Sequence, residues 1–491
     1  MRTAIIGGGI AGMAAAWEFE KARAAGDDAE YILFEAQERL GGVLSSETVN
    51  GAVLERGPDS FLTEKPAAAE LCRELGLGDA LTPSNDGARK TWIVVRNRLV
   101  PLPDGLMFLI PTKLIPTALT RLFSVRTKVR MALELLLPPR PAENDESVAA
   151  LVERHYGREA VDRLADPLLS GIFGGDATQL SARTVLPRLV EMEETHGSLT
   201  RGMLAAHRAM RKRAAAGRAA SASAPASVPV GGKAHSAPRG IFTTLRGGMQ
   251  QLVETLEARL DPNAIRRSTP VSAIERRGGR WIVRSGNVAE EFDAVILTSP
   301  AWAAGAMLAG VDADLSEELA AIPYSSSITM NLVFDESSLG PLPEGFGFLV
   351  PISEGRSMLA CTFAHRKFLG RTPTGKAVLR AFLGGARKEE LLHESDDALV
   401  AMVRRELCEI LGPEVMPMDA KPECVQVARW QRAMAQYAVG HQERIARIDA
   451  RLETLPGLKL AGNAYDGIGI SDCIRLGRGA VNELLAQEVK A

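Results

Sequence analysis

An α/β fold with a doubly wound parallel sheet is predicted by three features of the 491-residue sequence. A short apolar strand at 3–6 runs into a glycine turn and an amphipathic helix from 11 to about 25, and a second strand follows at 31–35. The closing segment repeats that grammar, with a strand at 458–461, a Gly/Ile-rich loop and a helix over 471–489. Short strands near 264–267, 271–276, 281–284 and 294–298 supply the remaining material for one sheet fed from both ends of the chain.

This length exceeds what one core supports, so a partner domain is expected. The division read from the sequence joins 1–85, 240–300 and 425–491 into a discontinuous cofactor domain. Residues 86–100 and 301–424 form an α+β substrate domain with a mixed sheet, on the strength of short β-like runs over 325–383. Residues 101–204 form a helical subdomain, and the Ala/Ser/Pro-rich stretch 205–239 reads as a disordered insertion, its basic start a solvated loop. Within 99–138, two or three helices interrupted by Pro111 and Pro116 are expected to pack on the core, with a membrane-surface patch as the alternative reading. No run there is long and uncharged enough to span a bilayer, and no internal repeat is present.

Lys and Arg (58) nearly balance Asp and Glu (60), so no overall field favours nucleic acid or an anionic membrane. Five scattered cysteines without a CxxC spacing argue against a disulfide framework, an iron–sulfur cluster or a zinc site, and no metal is expected. Met1-Arg2 leads directly into the first strand, leaving no room for a signal peptide. A cytoplasmic protein with at most peripheral membrane contact is the expectation.

The motif Gly7-Gly8-Gly9-Ile10-Ala11-Gly12 contains GxGxxG between a strand and a helix start. Gly7 permits the turn, Gly9 admits a pyrophosphate to the backbone, and Gly12 lets helix and sheet pack closely, as in a Rossmann-type dinucleotide site. Glu35, followed by Ala36, ends the second strand where a carboxylate can hydrogen-bond the ribose of an adenosine. A second glycine pair, Glu38-Arg39-Leu40-Gly41-Gly42-Val43, and then Glu55-Arg56-Gly57-Pro58-Asp59-Ser60, let backbone wrap an extended ligand, which favours FAD over NAD.

These stretches resemble the signatures of the flavoprotein superfamily of amine oxidases, phytoene desaturases and protoporphyrinogen oxidases. That resemblance implies that Val271 meets the adenine and that Trp430 belongs to the flavin site. The segment 462–473, with Ile468, Gly469 and Ile470, would approach the flavin ring, and the last helix would aim its positive end at the pyrimidine edge. Cys473 reads as buried packing rather than a redox thiol. No second glycine fingerprint appears, so reduced flavin would be reoxidised by oxygen or a carrier rather than by a nicotinamide.

The stretch Asp166-Pro167-Leu168-Leu169-Ser170-Gly171-Ile172-Phe173-Gly174-Gly175-Asp176 and the tail from Trp430 (RWQRAMAQYAVGH) through YDGIGISDCI are similar to the porphyrinogen oxidases. Members of this family use FAD and oxygen to remove six electrons from a reduced tetrapyrrole. The Gly57-Pro58-Asp59-Ser60-Phe61 sequence resembles the bacterial coproporphyrinogen III type, because the mitochondrial and plastid protoporphyrinogen type carries an arginine in place of Asp59. The resemblance implies Leu349 and Phe363 on the two faces of the macrocycle, Gly174-Gly175 carbonyls for pyrrole N–H groups, and Lys65, Arg366 and Lys367 for the propionates. Each of these has an ordinary reading, as core packing, a turn or surface charge. It also implies ferrochelatase as a candidate recipient of the product. No residue stands out as a catalytic base; His196 and His441 are lone histidines. An amine oxidase, a polyene desaturase and a non-catalytic binding protein such as the Rab GDP-dissociation inhibitors share the architecture and stay open at this point.

Overall fold

The computed structural model describes residues 1–103, 105–107, 109–111, 114–140, 144–222 and 240–488. At its centre five parallel strands run in the order Ile265–Arg266, Glu30–Phe34, Arg2–Ile6, Ala294–Leu297 and Leu458–Leu460. Side chains alternate across it. Ile5, Leu33 and Ile296 pack under the helices Ile10–Ala25 and Ile470–Glu488, whereas Ile6, Val295 and Leu297 pack on Trp281 and Phe292 of an antiparallel three-stranded layer. The first and last helices touch backbone to backbone at Gly477, where a Cβ would lie 2.1 Å from the Ala11 carbonyl oxygen. This contact unites the two ends of the chain.

The second sheet has seven strands, in the order Cys424–Ala435, Tyr324–Asp335, Lys376–Gly384, Met358–Phe363, Gly347–Leu349, Thr91–Val95 and Arg98–Pro101. All pairs are antiparallel except Gly347–Leu349 with Thr91–Val95, giving the expected mixed sheet. One face buries Met330, Phe334 and Leu379 against the helix Asp396–Leu411, and the other carries Ile93 and Leu349 into a helical layer built from 109–199.

Three expectations need correction. The strand Cys424–Ala435 pairs with Tyr324–Asp335 and so lies in the seven-stranded sheet, while the helices Ala301–Leu308 and Ala313–Ala320 pack on the five-stranded one; both lie across the boundaries expected at 300 and 425. In the segment 99–138 a strand and the short hairpin Leu106–Met107/Ile110–Pro111 precede the helices Leu114–Leu119 and Val125–Leu133. Pro116 falls in a helix's first turn, where its missing N–H costs nothing. The helix Leu199–Ala222 covers the first half of the stretch expected to be disordered, because its many alanines carry almost no helix-forming cost; 223–239 lie outside the described residues. Among the described residues no helix is long and apolar enough to cross a membrane.

A buried imidazole locks the helical layer. His155 Nδ1 lies 3.0 Å from Glu134 Oε1 and Nε2 lies 3.1 Å from Glu193 Oε1, and Arg154 also pairs with Glu193. Burial alone lowers the histidine pKa, but hydrogen bonds donated to both carboxylates outweigh it and hold the ring above its ordinary value. The sign follows: this stabilisation is complete below the unfolded pKa of about 6.5 and is lost as pH rises through the folded value. Denaturant unfolding should therefore show stability falling on the alkaline side, a fall that His155→Gln removes.

Candidate active site

The glycine turn forms at the carboxyl end of the central strand, between neighbours that continue to opposite sides, which is where open α/β sheets bind ligands. Gly7 has φ +114° and a Cβ there would sit 2.9 Å from the Ser299 nitrogen. A Cβ on Gly12 would lie 1.9 Å from the Gly7 oxygen. Gly9, by contrast, caps the first helix without a side-chain hydrogen bond, and a Cβ on it would meet nothing within 4 Å. Ile10 and Ala11 are buried beneath it. The turn is tight toward the protein and open outward, with uncapped helical N–H groups facing the opening. Those are the requirements of a diphosphate cradle.

Glu35 braces this turn rather than standing free. Its Oε2 accepts the Gly8 N–H at 2.6 Å and its Oε1 accepts the Gln37 N–H at 2.8 Å, leaving further lone pairs for a ribose. Ala36 is exposed beside it. The Thr269 N–H donates to the Glu35 carbonyl at 2.8 Å, which brings the start of the strand Val271–Arg277, and so Val271, to the same side.

The second glycine pair abuts the first. The Gly41 N–H donates to the Gly8 carbonyl at 2.7 Å, and a Cβ on Gly42 would be 3.3 Å from the Gly9 Cα. Arg39 holds this loop from within, donating to the carbonyls of Leu40, Gly42 and Leu44. Val43 is left partly exposed at the loop surface. Burial and then the nearby Arg56 charge lower the Arg39 pKa. The Arg56 side chain is exposed and pairs with nothing among the described residues. Repelling guanidiniums beside an open cradle fit a dianionic diphosphate.

The loop 55–60 is fixed from below. The Trp430 indole N–H and the Thr329 hydroxyl donate to the Arg56 carbonyl, and Arg380 donates to the Gly57 carbonyl. A Cβ on Gly57 would fall 1.8 Å from the Val43 oxygen. After Pro58, the chain turns Asp59 inward, where Lys367 Nζ reaches its oxygens at 3.0 and 2.9 Å and Arg380 lies at 3.4 Å; Ser60 donates to it at 2.6 Å. Burial opposes ionisation of Asp59, but Lys367 and Arg380 outweigh it and hold the carboxyl well below the usual range. Glu55 and Arg371 form a second buried pair alongside.

At the other end of the cleft, Lys65 donates to Asp472 Oδ1 and Oδ2 at 2.8 and 2.6 Å, and the Ser471 hydroxyl donates to the Lys65 carbonyl at 3.0 Å. Asp472 also accepts the Gly469 N–H at 3.2 Å, capping the start of the last helix. Ile470 packs into the core and Ile468 against the opposite sheet face, so backbone rather than side chain is presented at Gly469. Burial raises the Cys473 thiol to about 12, in keeping with a packing role. His441 is buried and stacked on Tyr437 with centroids 4.3 Å apart, and burial lowers its pKa to about 4. Lys65→Met should raise the dissociation constant for FAD roughly five- to tenfold by leaving the buried Asp472 carboxylate without its half-exposed partner, and Lys65→Arg should restore it. Fluorescence titration with FAD reads both.

The macrocycle residues divide. Leu349 lies against Gly171 of the helix Asp166–Phe173, a Cβ on Gly171 coming 3.2 Å from Leu349 Cδ2, so it packs the sheet onto the helical layer. Phe363 lies on the opposite face of the same sheet, fully buried and edge-on to Phe348 at 6.2 Å. It cannot share one disc with Leu349. Gly174, at φ +57°, spends its carbonyl on the Ala386 N–H at 2.8 Å, whereas the Gly175 carbonyl takes no donor among the described residues. Arg387 bridges Asp176 and Asp166 beside this turn. Of the expected propionate partners, Lys65 and Lys367 are consumed by Asp472 and Asp59, and Arg366 donates to the Leu342 and Pro343 carbonyls at 3.1 and 2.6 Å. The supporting arginines Arg371, Arg380 and Arg387 escaped the sequence reading. A signal did exist, because a lone arginine in the apolar run KAVLRAFLG must be buried with a partner.

The family model described as "Flavin containing amine oxidoreductase" matches residues 10–485. Coproporphyrinogen III oxidase of Bacillus subtilis is 34% identical over 484 residues, covering 98% of this chain and 97% of its own. Protoporphyrinogen oxidase of Homo sapiens is 30% identical, covering 99% of this chain and 98% of its own. A crystal structure from Exiguobacterium superposes with a TM-score of 0.83 at 32% identity and covers 99% of both chains. The cyclohexylamine oxidase of Brevibacterium oxydans shares the fold, with a TM-score of 0.67 at 17% identity over 100% of this chain and 99% of its own. A model matched from the glycine turn to the last helix, on a cradle built to hold a dinucleotide, means that this chain is an FAD-dependent oxidoreductase of the flavin-containing amine oxidoreductase family.

Proposed function

We propose that the chain oxidises a porphyrinogen to a porphyrin, with coproporphyrinogen III as its preferred substrate. The observation that supports this most is the near-complete, 34% identical alignment with the Bacillus subtilis coproporphyrinogen III oxidase. Held at the glycine turn Gly7–Gly12 and by Glu35, FAD would supply the two-electron redox chemistry that each of three oxidation rounds needs, with dioxygen as the final acceptor.

The chain's own residues position and exclude. Leu349, packed against Gly171 of the helix Asp166–Phe173, would offer an apolar edge to a flat ring. The Gly175 carbonyl is the acceptor left for a pyrrole N–H, and the Gly174 turn is held still by the Ala386 N–H and by Gln436, which donates to the Phe173 carbonyl at 2.8 Å. The arginine found beside Gly-Pro in the protoporphyrinogen type would meet Lys367 and Arg380 here, so this loop supports the coproporphyrinogen reading. Five free cysteines support work in a reducing cytoplasm, and a metal-inserting enzyme such as ferrochelatase is the class of partner that would take the product. Aerobic growth of porphyrin fluorescence with coproporphyrinogen III and protoporphyrinogen IX side by side tests the assignment. Faster turnover of coproporphyrinogen III is expected; a clear preference for protoporphyrinogen IX would reverse the choice.

A further inference from the structure

A cavity of about 950 Å³ opens between the edge hairpin of the seven-stranded sheet, at Val95–Pro101, and the helical segments around Leu119–Ser124 and Glu159–Arg163. None of its lining residues belongs to the site described above. Its apolar side is formed by Val100 and the exposed Leu119, and its rim carries Arg96, Arg98 and Arg121. These three guanidiniums make no ion pair or hydrogen bond with any described residue. The carboxylates nearby are spent: Glu159 takes Arg163 at 2.6 Å and the Ser124 hydroxyl, and Glu354 accepts the Arg96 and Asn97 backbone N–H groups at 2.8 and 3.1 Å.

The hairpin turn is unusual for its residues. Arg96 and Asn97 have φ of +52° and +58°, the left-handed pair of a tight turn normally filled by Asn-Gly. An arginine kept in that conformation, on a turn clamped by Glu354 and by Arg356 donating to Asn97 Oδ1 at 2.6 Å, is presented at the cavity rim at a conformational cost.

We propose that this cleft is a second tetrapyrrole site, binding the carboxylate-bearing porphyrin away from the flavin. The proposal rests on the porphyrinogen reading above. An apolar side beside three unpaired cations suits a large amphiphile with several carboxylates; a phosphate or small acid would leave that side uncovered, and the volume is that of a site for a ligand of porphyrin size. The flat ring covers Val100 and Leu119 while propionates reach Arg96, Arg98 and Arg121.

The test titrates coproporphyrin III into the full, FAD-loaded chain and follows bound porphyrin together with the flavin spectrum. Wild type is expected to bind a second equivalent that leaves the flavin spectrum unperturbed. The variant Arg96→Ala/Arg98→Ala/Arg121→Ala should bind that equivalent at least about tenfold more weakly, with kcat/KM for coproporphyrinogen III unchanged, and the triple lysine variant should retain it. One equivalent in a wild-type enzyme that turns over porphyrinogen normally overturns the second site and leaves the function standing. Loss of kcat/KM in the triple alanine variant would instead make the cleft part of the catalytic path. Binding to phosphatidylglycerol vesicles that the variant loses, without a second porphyrin equivalent, would assign the cations to a lipid surface. Absence of porphyrinogen turnover in wild type would remove the functional reading and this site with it.

Discussion

Asp59→Asn is expected to destabilise the chain by about 3–5 kcal/mol, because it leaves Lys367 and Arg380 buried with no anion between them. Lys367 and Arg380 side chains are 13% and 4% exposed, so water cannot take over the missing charge. The loop 55–60 hangs on the same arginine through the Gly57 carbonyl, and FAD retention should fall with stability. Adding Lys367→Met should recover part of the loss, since one stranded charge is then removed. The acid limb is also defined. A carboxyl held below its unfolded value of about 3.9 contributes stability above that pH and loses it only as pH falls through the folded value, so this group should not cause unfolding in mildly acid solution. Urea midpoints for the single and double variants read the whole set. An unchanged midpoint for Asp59→Asn, with altered substrate preference, would make Asp59 a specificity contact rather than a hub.

Gly12→Val should yield a colourless protein. Its Cβ alone would lie 1.9 Å from the Gly7 oxygen and 2.7 Å from Thr298 Oγ1, so helix and glycine turn must separate and the helical N–H groups leave the diphosphate position. A loss of FAD affinity of at least about 100-fold, near 3 kcal/mol, is expected. Gly9→Ala separates cofactor space from protein space. A Cβ there meets no protein atom within 4 Å, so apoprotein stability should be nearly unchanged while FAD binding still falls. Flavin absorbance after desalting, with melting of the apoproteins, distinguishes the two variants.

The cofactor half of the molecule was legible from local pattern. Glycines that cannot carry a Cβ, a strand before them and a helix after them place Gly7, Gly9 and Gly12 without any long-range information. The substrate half was not, because its answers depend on pairing. Whether Phe363 shares a face with Leu349 is decided by the register Leu349 with Ala360, which no local period reveals. Asp59 and Lys367 lie 308 positions apart, and neither residue alone announces that it will be buried with the other. The segments 99–138 and 205–222 failed for a milder reason. Interspersed prolines and alanine-rich composition are compatible with both helix and its absence, and tertiary packing made the choice.

A single anaerobic turnover, in which the FAD-loaded chain is mixed with coproporphyrinogen III and the oxidised flavin absorbance is followed, tests the proposed activity most directly. Rapid bleaching, with porphyrin fluorescence appearing as oxygen is readmitted, is the predicted result. A flavin that stays oxidised with coproporphyrinogen III and protoporphyrinogen IX alike, yet bleaches with a primary amine, would contradict it.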